Sequence, residues 1–322
     1  MINSERNGTL KGKGIRIVAT GRALPKKVIT NDDLSKIVDT SDEWIVSRTG
    51  IKSRFQCEDE SCVSLAVEAA KKAMEAAGID KNDVGAIICA SSTSDHVFPA
   101  VASMIQSELG FPEELTAFDI CAACTGFLFG LQTAQGLLNS IEKRYVLLVA
   151  SEQLSRIVDY SDRGTCILFG DGAAAAVVTA TDGQYVQKSW CRGNKEALSC
   201  AGVGMDNAHI LMNGTEVFRF ATTALAQAVE ETLKEADESI DDVDYIVCHQ
   251  ANERIIRHVQ KKYPGREDRF FINIDKYGNT SAASIPIALD EMMEQKLLKR
   301  GMKVLCVGFG AGLTWSGALI EI

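Results

Sequence analysis

Proline is scarce, five in 322 residues, so no proline-rich linker or polyproline tract divides the chain. No stretch approaches the roughly 18 uninterrupted apolar residues that a spanning helix needs, which excludes a membrane role of that kind. Basic residues fall short of acidic ones, 34 against 43, and the net charge of −9 argues against nucleic acid as the main partner. Histidine is rare, four in all. Neither paired histidines nor a second Cys-x-x-Cys accompany Cys121 and Cys124, and Cys57 and Cys62 lie in a polar loop, so a zinc site is short of ligands and no metal is expected. The first 14 residues are polar and lack the apolar core of a secretory signal, so a cytoplasmic protein is expected. In a reducing compartment the ten cysteines act as small buried hydrophobes or functional thiols, and the sequons at Asn7, Asn213 and Asn279 carry no glycosylation meaning.

The composition that is present, 46% apolar and 24% charged, is that of an ordinary globular protein long enough for two halves or one large α/β unit. Residues 15–19 read as a strand. Thr40 and Glu43 are spaced as a capping box for a short helix that sets Trp44 and Arg48 at i and i+4 on one face. A helix from Ser64 to Ala77, closed by Gly78, leads through Ile79-Asp80 and Asp83 into an apolar strand, 84–90. Much later a helix leads through Ile240-Asp241-Asp242 into the strand 243–249. The two passages match, and the match continues. Helices over 98–109 and 252–262 precede strands 116–120 and 270–274; a junction follows in each; then helices 126–138 and 282–296, strands 145–150 and 303–308, and closing strands 173–178 and 314–320. The reading is a duplicated α/β protein of five layers, with halves 1–180 and 181–322.

This repeat places chemistry. Cys124 begins a helix among small residues, at a strand-to-helix junction where unpaired N–H groups favour a thiolate and lower a thiol pKa. Two readings of the same letters compete, a nucleophile at Cys124 and a redox dithiol with Cys121. Asn279 occupies the corresponding junction of the second half, and His249 ends the strand equivalent to the one ending at Ala90. Ligands bind off the carboxyl ends of parallel strands, so Cys124, His249 and Asn279 can converge between the halves, with Cys121 packed beneath. His249 opens the polar loop Gln250-Ala-Asn252, an unusual place for a core histidine, whereas His96, His209 and His258 read as structural. Thr280 or Ser281 reads as a helix cap that leaves the Asn279 side chain free. The run Gly308-Phe-Gly310-Ala311-Gly312 is followed by a strand, not a helix, which excludes a dinucleotide loop but allows backbone N–H groups to face an oxyanion. Arg254, Arg257, His258, Lys261 and Lys262 form a basic stripe opposite Ile255, Ile256 and Val259, with Arg219 as an extension. Such a stripe is usually a solvated face; on an acidic chain it is also a docking surface for an anionic partner.

Taken together, Asp39-Thr-Ser-Asp-Glu-Trp-Ile45, Arg48-Thr-Gly50, Phe118-Asp-Ile-Cys-Ala-Ala-Cys-Thr-Gly-Phe127, Asp162-Arg-Gly-Thr165, His249-Gln-Ala-Asn252, Gly278-Asn-Thr-Ser-Ala-Ala-Ser284 and Phe309-Gly-Ala-Gly-Leu-Thr-Trp315 resemble the β-ketoacyl-acyl-carrier-protein synthase III family of the thiolase-like superfamily. The resemblance runs from Gly21 to the last strand. It implies a thiolase-like αβαβα fold and an acyltransferase that starts fatty-acid synthesis. Cys124 would take an acyl group from a short acyl-CoA, and His249 and Asn279 would hold the enolate formed when malonyl-acyl carrier protein loses CO2. Backbone N–H groups of Cys124 and Ala311 would form the oxyanion hole. Trp44, Arg48, Arg163 and Asn252 match contacts to CoA, Phe98 matches an acyl-pocket residue given by the partner subunit of a homodimer, and the basic stripe matches a carrier-protein dock. No permanently bound cofactor is implied. Thr125, Ala311 and Thr215 depart from the residues common in the family, and 181–212 departs most. The alternatives are a condensing enzyme that primes polyketide or quinolone synthesis and, more remotely, a Cys-x-x-Cys redox protein.

Overall fold

The computed structural model describes residues 14–202, 204–206 and 208–322; the rest of the polar leader and the sequon at Asn7 lie outside them. A mixed sheet of ten strands runs through the molecule. One run of it is ordered Thr116–Ile120, Val84–Ala90, Tyr145–Glu152, Gly172–Thr181, Gly14–Ala23, and the other Phe270–Phe271, Tyr245–Cys248, Lys303–Gly310, Gly312–Glu321, Val186–Asn194. In both runs the first three strands pair in parallel and the remaining pairs are antiparallel. A parallel contact at Arg16 and Glu321 joins the runs.

Strand alternation builds the layers. Val146, Leu148 and Ala150 turn to one apolar cluster and Leu147 and Val149 to another; Val304 and Cys306 likewise oppose Leu305 and Val307. The shared inner cluster is filled by helices Gly126–Leu138 and Ser284–Glu294, which pack against strands of both runs. Helices Cys62–Ala77 and Val101–Leu109 cover the outer face of one run, and Gly214–Ala236 and Glu253–Gln260 that of the other. With both faces covered, the central strands are apolar throughout, as Val84–Ala90 is, fully buried along its length.

Some boundaries differ from the sequence reading. Helix Asp42–Thr49 is capped by Ser41, not Thr40: the Ser41 hydroxyl accepts the Trp44 N–H at 3.1 Å, and the Thr40 hydroxyl is buried without a partner. The strand expected over 270–274 stops at Phe271, and Ile274–Tyr277 turns helical. Strand Val186–Asn194, in the segment 181–212 that departs most from the family pattern, completes the second run. Among the described residues no helix is long and apolar enough to cross a membrane, and no group of metal-ligating side chains is assembled.

Candidate active site

Strand Thr116–Ile120 gives way to a tight turn, Ala123–Thr125, that runs directly into helix Gly126–Leu138. Ala123 holds a φ of +46°, a conformation a residue with a Cβ adopts only under constraint. The second junction copies this device. Ser281 has a φ of +50°, the turn Ser281–Ala283 follows, and helix Ser284–Glu294 begins. The register is therefore finer than the sequence reading had it. The counterpart of Cys124 is Ala282, and Asn279 stands at the place corresponding to Cys121. The two junctions pack closely, since a Cβ on Gly126 would come within 3.3 Å of the Ala282 Cβ.

Cys124 is 9% exposed and lines a cavity of about 200 Å³ together with His249 and Asn279. Burial pushes its thiol up to about 12, opposed by a hydrogen bond with the Ser281 side chain and reinforced by the charge of Glu152. The lowering expected from the helix terminus is outweighed, so the resting group is a neutral thiol. Gly310 closes in from the neighbouring strand: a Cβ there would lie 3.0 Å from the Cys124 nitrogen.

His249 is 1% exposed and fixed through its backbone N–H to the Val307 carbonyl at 2.8 Å. Its ring stands edge-on to Phe309 with centroids 5.4 Å apart, and its buried Nδ1 has no partner. Burial pushes its pKa down to about 3, so the imidazole is neutral. Asn279 is anchored at both backbone groups, N–H to Leu168 and C=O from Gly170. Its side-chain oxygen accepts the Ser281 N–H at 2.9 Å. Asn279 thus braces the turn itself, in place of the Thr280 or Ser281 cap; helix Ser284–Glu294 has no side-chain cap, and the amide N–H groups of Asn279 are what it can offer a ligand.

Arg48 and Asn252 also line the cavity. Both ends of the Asn252 side chain are engaged, Oδ1 with the Arg254 N–H at 2.9 Å and Nδ2 with the Arg48 carbonyl at 3.1 Å. Two guanidinium groups lie over the Trp44 ring, Arg48 at 4.7 Å and Arg163 at 4.6 Å from its centroid. Phe218 belongs both to the cavity and to an adjoining groove walled by Arg254, Arg257, His258 and Lys261. Arg254 lies over the Phe218 ring at 5.4 Å. Arg257 is tied to Glu253, and Lys262 to Glu230 at 3.2 Å. Ala311 follows Gly310 in the turn between strands Lys303–Gly310 and Gly312–Glu321.

Phe98 is not brought into this site: it is 83% exposed in a single chain, on the loop before helix Val101–Leu109. Cys121, expected beneath Cys124, is exposed, with its thiol 3.8 Å from the Ser92 hydroxyl. Glu152, Thr93 and Ser281 form a buried polar cluster below Cys124 that the sequence reading missed, because it ended the strand at Ala150.

Two family models match the chain, 3-oxoacyl-[acyl-carrier-protein] synthase III over residues 118–193 and its C-terminal counterpart over residues 233–322. Proteins known as beta-ketoacyl-[acyl-carrier-protein] synthase III from Clostridium acetobutylicum and Clostridium beijerinckii are 43% and 45% identical to it, across 95% of this chain and 98% and 99% of theirs. The crystal structure of 3-oxoacyl-[acyl-carrier-protein] synthase III from Aquifex aeolicus superposes with a TM-score of 0.91 at 40% identity, covering 96% of this chain and all of that one. The priming beta-ketosynthase of the R1128 polyketide pathway superposes at 0.89 with 32% identity, over 96% of each chain.

Proposed function

The chain belongs to the 3-oxoacyl-[acyl-carrier-protein] synthase III family, and from that premise we propose how its own residues carry out the initiating condensation of fatty-acid synthesis. Cys124 is the nucleophile. Its thiolate attacks the thioester of a short acyl-CoA, CoA leaves, and an acyl-enzyme remains. Backbone N–H groups of Cys124 and Ala311 stabilise the oxyanion, a role supported by the close approach of Gly310 to Cys124. Malonyl-acyl carrier protein follows. Loss of CO2 leaves an enolate, and His249 and Asn279 hold it by hydrogen bonds. The neutral imidazole supports this role, because the step needs donors and not a full proton. The enolate carbon attacks the acyl group and releases the β-ketoacyl carrier product from Cys124.

Trp44, Arg48 and Arg163 bind the nucleotide end of CoA together with Asn252, which holds the end of the Arg48 helix at the cavity wall. Arg219, Arg254, Arg257, Lys261 and Lys262 dock the acidic carrier protein, its pantetheine entering past Phe218. Cys124 and the two thioester substrates supply all the reactive groups, so the proposed reaction uses no bound cofactor or metal. We read the molecule as two thiolase-like halves, 1–180 and 181–322, and as a cytoplasmic homodimer in which Phe98 of each copy closes the acyl pocket of the other. The exposed Val97 and Phe98 support that reading.

The observation that carries the proposal is the convergence of Cys124, His249 and Asn279 on one cavity. Intact-mass measurement after exposure to a panel of acyl-CoAs, followed by addition of malonyl-carrier, tests it: a short-acyl adduct should map to Cys124 and disappear as product forms. An adduct elsewhere, or one that malonyl-carrier never discharges, overturns it. Polyketide priming uses the same chemistry, and the polyketide relative is similar at 32%. The fatty-acid reading is preferred because the more similar relatives, at 43% and 45%, are named beta-ketoacyl-[acyl-carrier-protein] synthase III and not polyketide priming enzymes.

A further inference from the structure

Below the cavity, Glu152 is sealed from solvent at 0% exposure. Its Oε2 accepts the Thr93 hydroxyl at 2.6 Å and the Ser92 N–H at 3.1 Å, both from the loop after strand Val84–Ala90. Its Oε1 accepts the Ser281 hydroxyl at 3.0 Å. Burial of a carboxylate is costly unless donors satisfy it, so these bonds tie the segments that carry them to one another. Ser281 reaches in a second direction as well: its backbone N–H donates to Asn279 Oδ1 at 2.9 Å. One residue, 4% exposed and at a φ of +50°, thus stands between the buried carboxylate and the Asn279 side chain.

We propose that Glu152 is a positioning residue for the malonyl step: by holding Ser281, it fixes the Asn279 carboxamide with its oxygen on the Ser281 N–H and its NH2 group free for the enolate. This role rests on the reading of Asn279 as a donor to that enolate. In the step itself the bond between the malonyl α-carbon and its carboxylate breaks, CO2 leaves, and the electron pair moves onto the thioester oxygen. An N–H stabilises that oxygen; a carboxamide turned over would present its own oxygen there and repel it. The Asn279 backbone is already held on both sides, its N–H by the Leu168 carbonyl and its C=O by the Gly170 N–H. What is left to set is the side chain, and the Ser281 N–H sets it.

The physical reason lies in the backbone of Ser281. A residue with a Cβ stays in the left-handed region only where its surroundings hold it there, and the bond from its hydroxyl to Glu152 supplies such a hold. The anchor at the other end is firm. Glu152 closes strand Tyr145–Glu152, paired there with Gly172, and Thr93, which donates to Glu152, also accepts the Gln153 N–H at 2.8 Å. Strands Val84–Ala90 and Tyr145–Glu152 belong to one run of the sheet, whereas Ser281 and Asn279 lead into helix Ser284–Glu294. The enolate donor of one junction is therefore aligned from strand ends about 130 residues away in the chain.

Separating the two half-reactions tests this. The full chain is compared with Glu152→Ala, Ser281→Ala and Glu152→Gln; intact mass follows acylation by an acyl-CoA, and then discharge by saturating malonyl-carrier. Both alanine variants should discharge about 10²-fold more slowly, as loss of one such donor does, with acylation within about fivefold of the parent. Removing Glu152 also removes a charge that raises the Cys124 thiol pKa, which gives acylation no reason to slow. The double alanine variant should be no slower than the slower single one, because both cut the same tether. Glu152→Gln is the rescue. Its oxygen takes the Ser92 N–H, its NH2 group faces Ser281, and the Ser281 hydroxyl turns to accept, so discharge should return to within about fivefold of the parent. Equal losses in both half-reactions assign the cluster to packing and overturn the proposal, as does discharge within about twofold of the parent by both alanine variants. Ser281→Ala keeps the buried carboxylate and carries the same comparison if Glu152→Ala fails to fold. Crystal structures of the alanine variants supply a readout without activity: the Asn279 oxygen should have left the Ser281 N–H, and an Asn279 side chain placed as in the parent overturns the tether. A parent that iodoacetamide alkylates but acyl-CoA never acylates sinks the condensing-enzyme reading alone, and the variant structures then decide the tether.

Discussion

Gly310→Ala adds one methyl group at the back of the nucleophile. The new Cβ would lie 3.0 Å from the Cys124 nitrogen, 3.2 Å from the Cys124 Cβ and 3.2 Å from the Thr125 nitrogen. All three belong to the turn Ala123–Thr125, two being backbone nitrogens, so no flexible side chain can swing aside. Reaching ordinary contact requires about 0.5 Å of movement, and overpacking of this kind costs about 1–3 kcal/mol, which lowers Tm by roughly 2–8 °C in a chain of this size. The protein stays folded. The displaced atoms are the nucleophile and one proposed oxyanion donor, and since misplacement by about 1 Å costs about 10²-fold, acyl transfer should fall by about tenfold or more. Gly136→Ala is the matched control. It lies within helix Gly126–Leu138 with nothing within 4 Å of its added Cβ, and should stabilise by about 0.5–1 kcal/mol with acylation unchanged. Thermal melts and rapid-quench mass spectrometry read both variants. Acylation by Gly310→Ala within about twofold of the parent would refute the argument that this close approach positions the sulfur.

The His249 ring resonances should stay flat from pH 5 to 8 in NMR, because burial holds the pKa near 3; a midpoint between 6 and 7 would contradict this. The sign for stability follows: a depressed histidine pKa contributes stability above about 6.5 that is lost as pH falls towards 3, so Asn in place of His249 should flatten part of the acid limb of a melting series. Trp44→Ala removes the ring over which Arg48 and Arg163 lie, and should raise KM for acyl-CoA by about tenfold with kcat changed far less, as loss of binding shared by ground and transition states requires. Reversing the charge of Arg254 and Lys261 should raise KM for malonyl-carrier by about tenfold, leave self-acylation by acyl-CoA intact, and weaken the salt dependence of the carrier step. An equal effect on both substrates would count against the groove as the carrier dock.

The alternation of apolar strands with helices was legible because burial on both faces writes an uninterrupted apolar run, as in Val84–Ala90 and the stretch from Tyr145 to Ala150. Helix ends were legible where a local device sets them: Gly78, in the left-handed region at φ +61°, closes its helix as expected. Strand Val186–Asn194 was not legible. It is a half-exposed, polar edge strand whose conformation comes from pairing with Gly312–Glu321, a partner more than a hundred residues away. Glu152 escaped notice for a related reason: nothing local marks a carboxylate as buried, and three of its hydrogen-bond donors come from two distant loops.

The sequence by itself determined the class of the fold, the duplication of its strand order, and the identity of Cys124, His249 and Asn279 as candidates, because periodicity, small residues and local caps are properties of short segments. Tertiary structure decided how those candidates meet. Only the packing of the two junctions sets Ala282 against Gly126 and leaves Asn279 to brace Ser281, and only burial turns a helix-terminal cysteine, expected to be acidic, into a neutral thiol beside Glu152. Protonation answers to the whole environment of a group, including charges and desolvation from segments far apart in the chain, so no local reading of the Cys124 stretch could have supplied it.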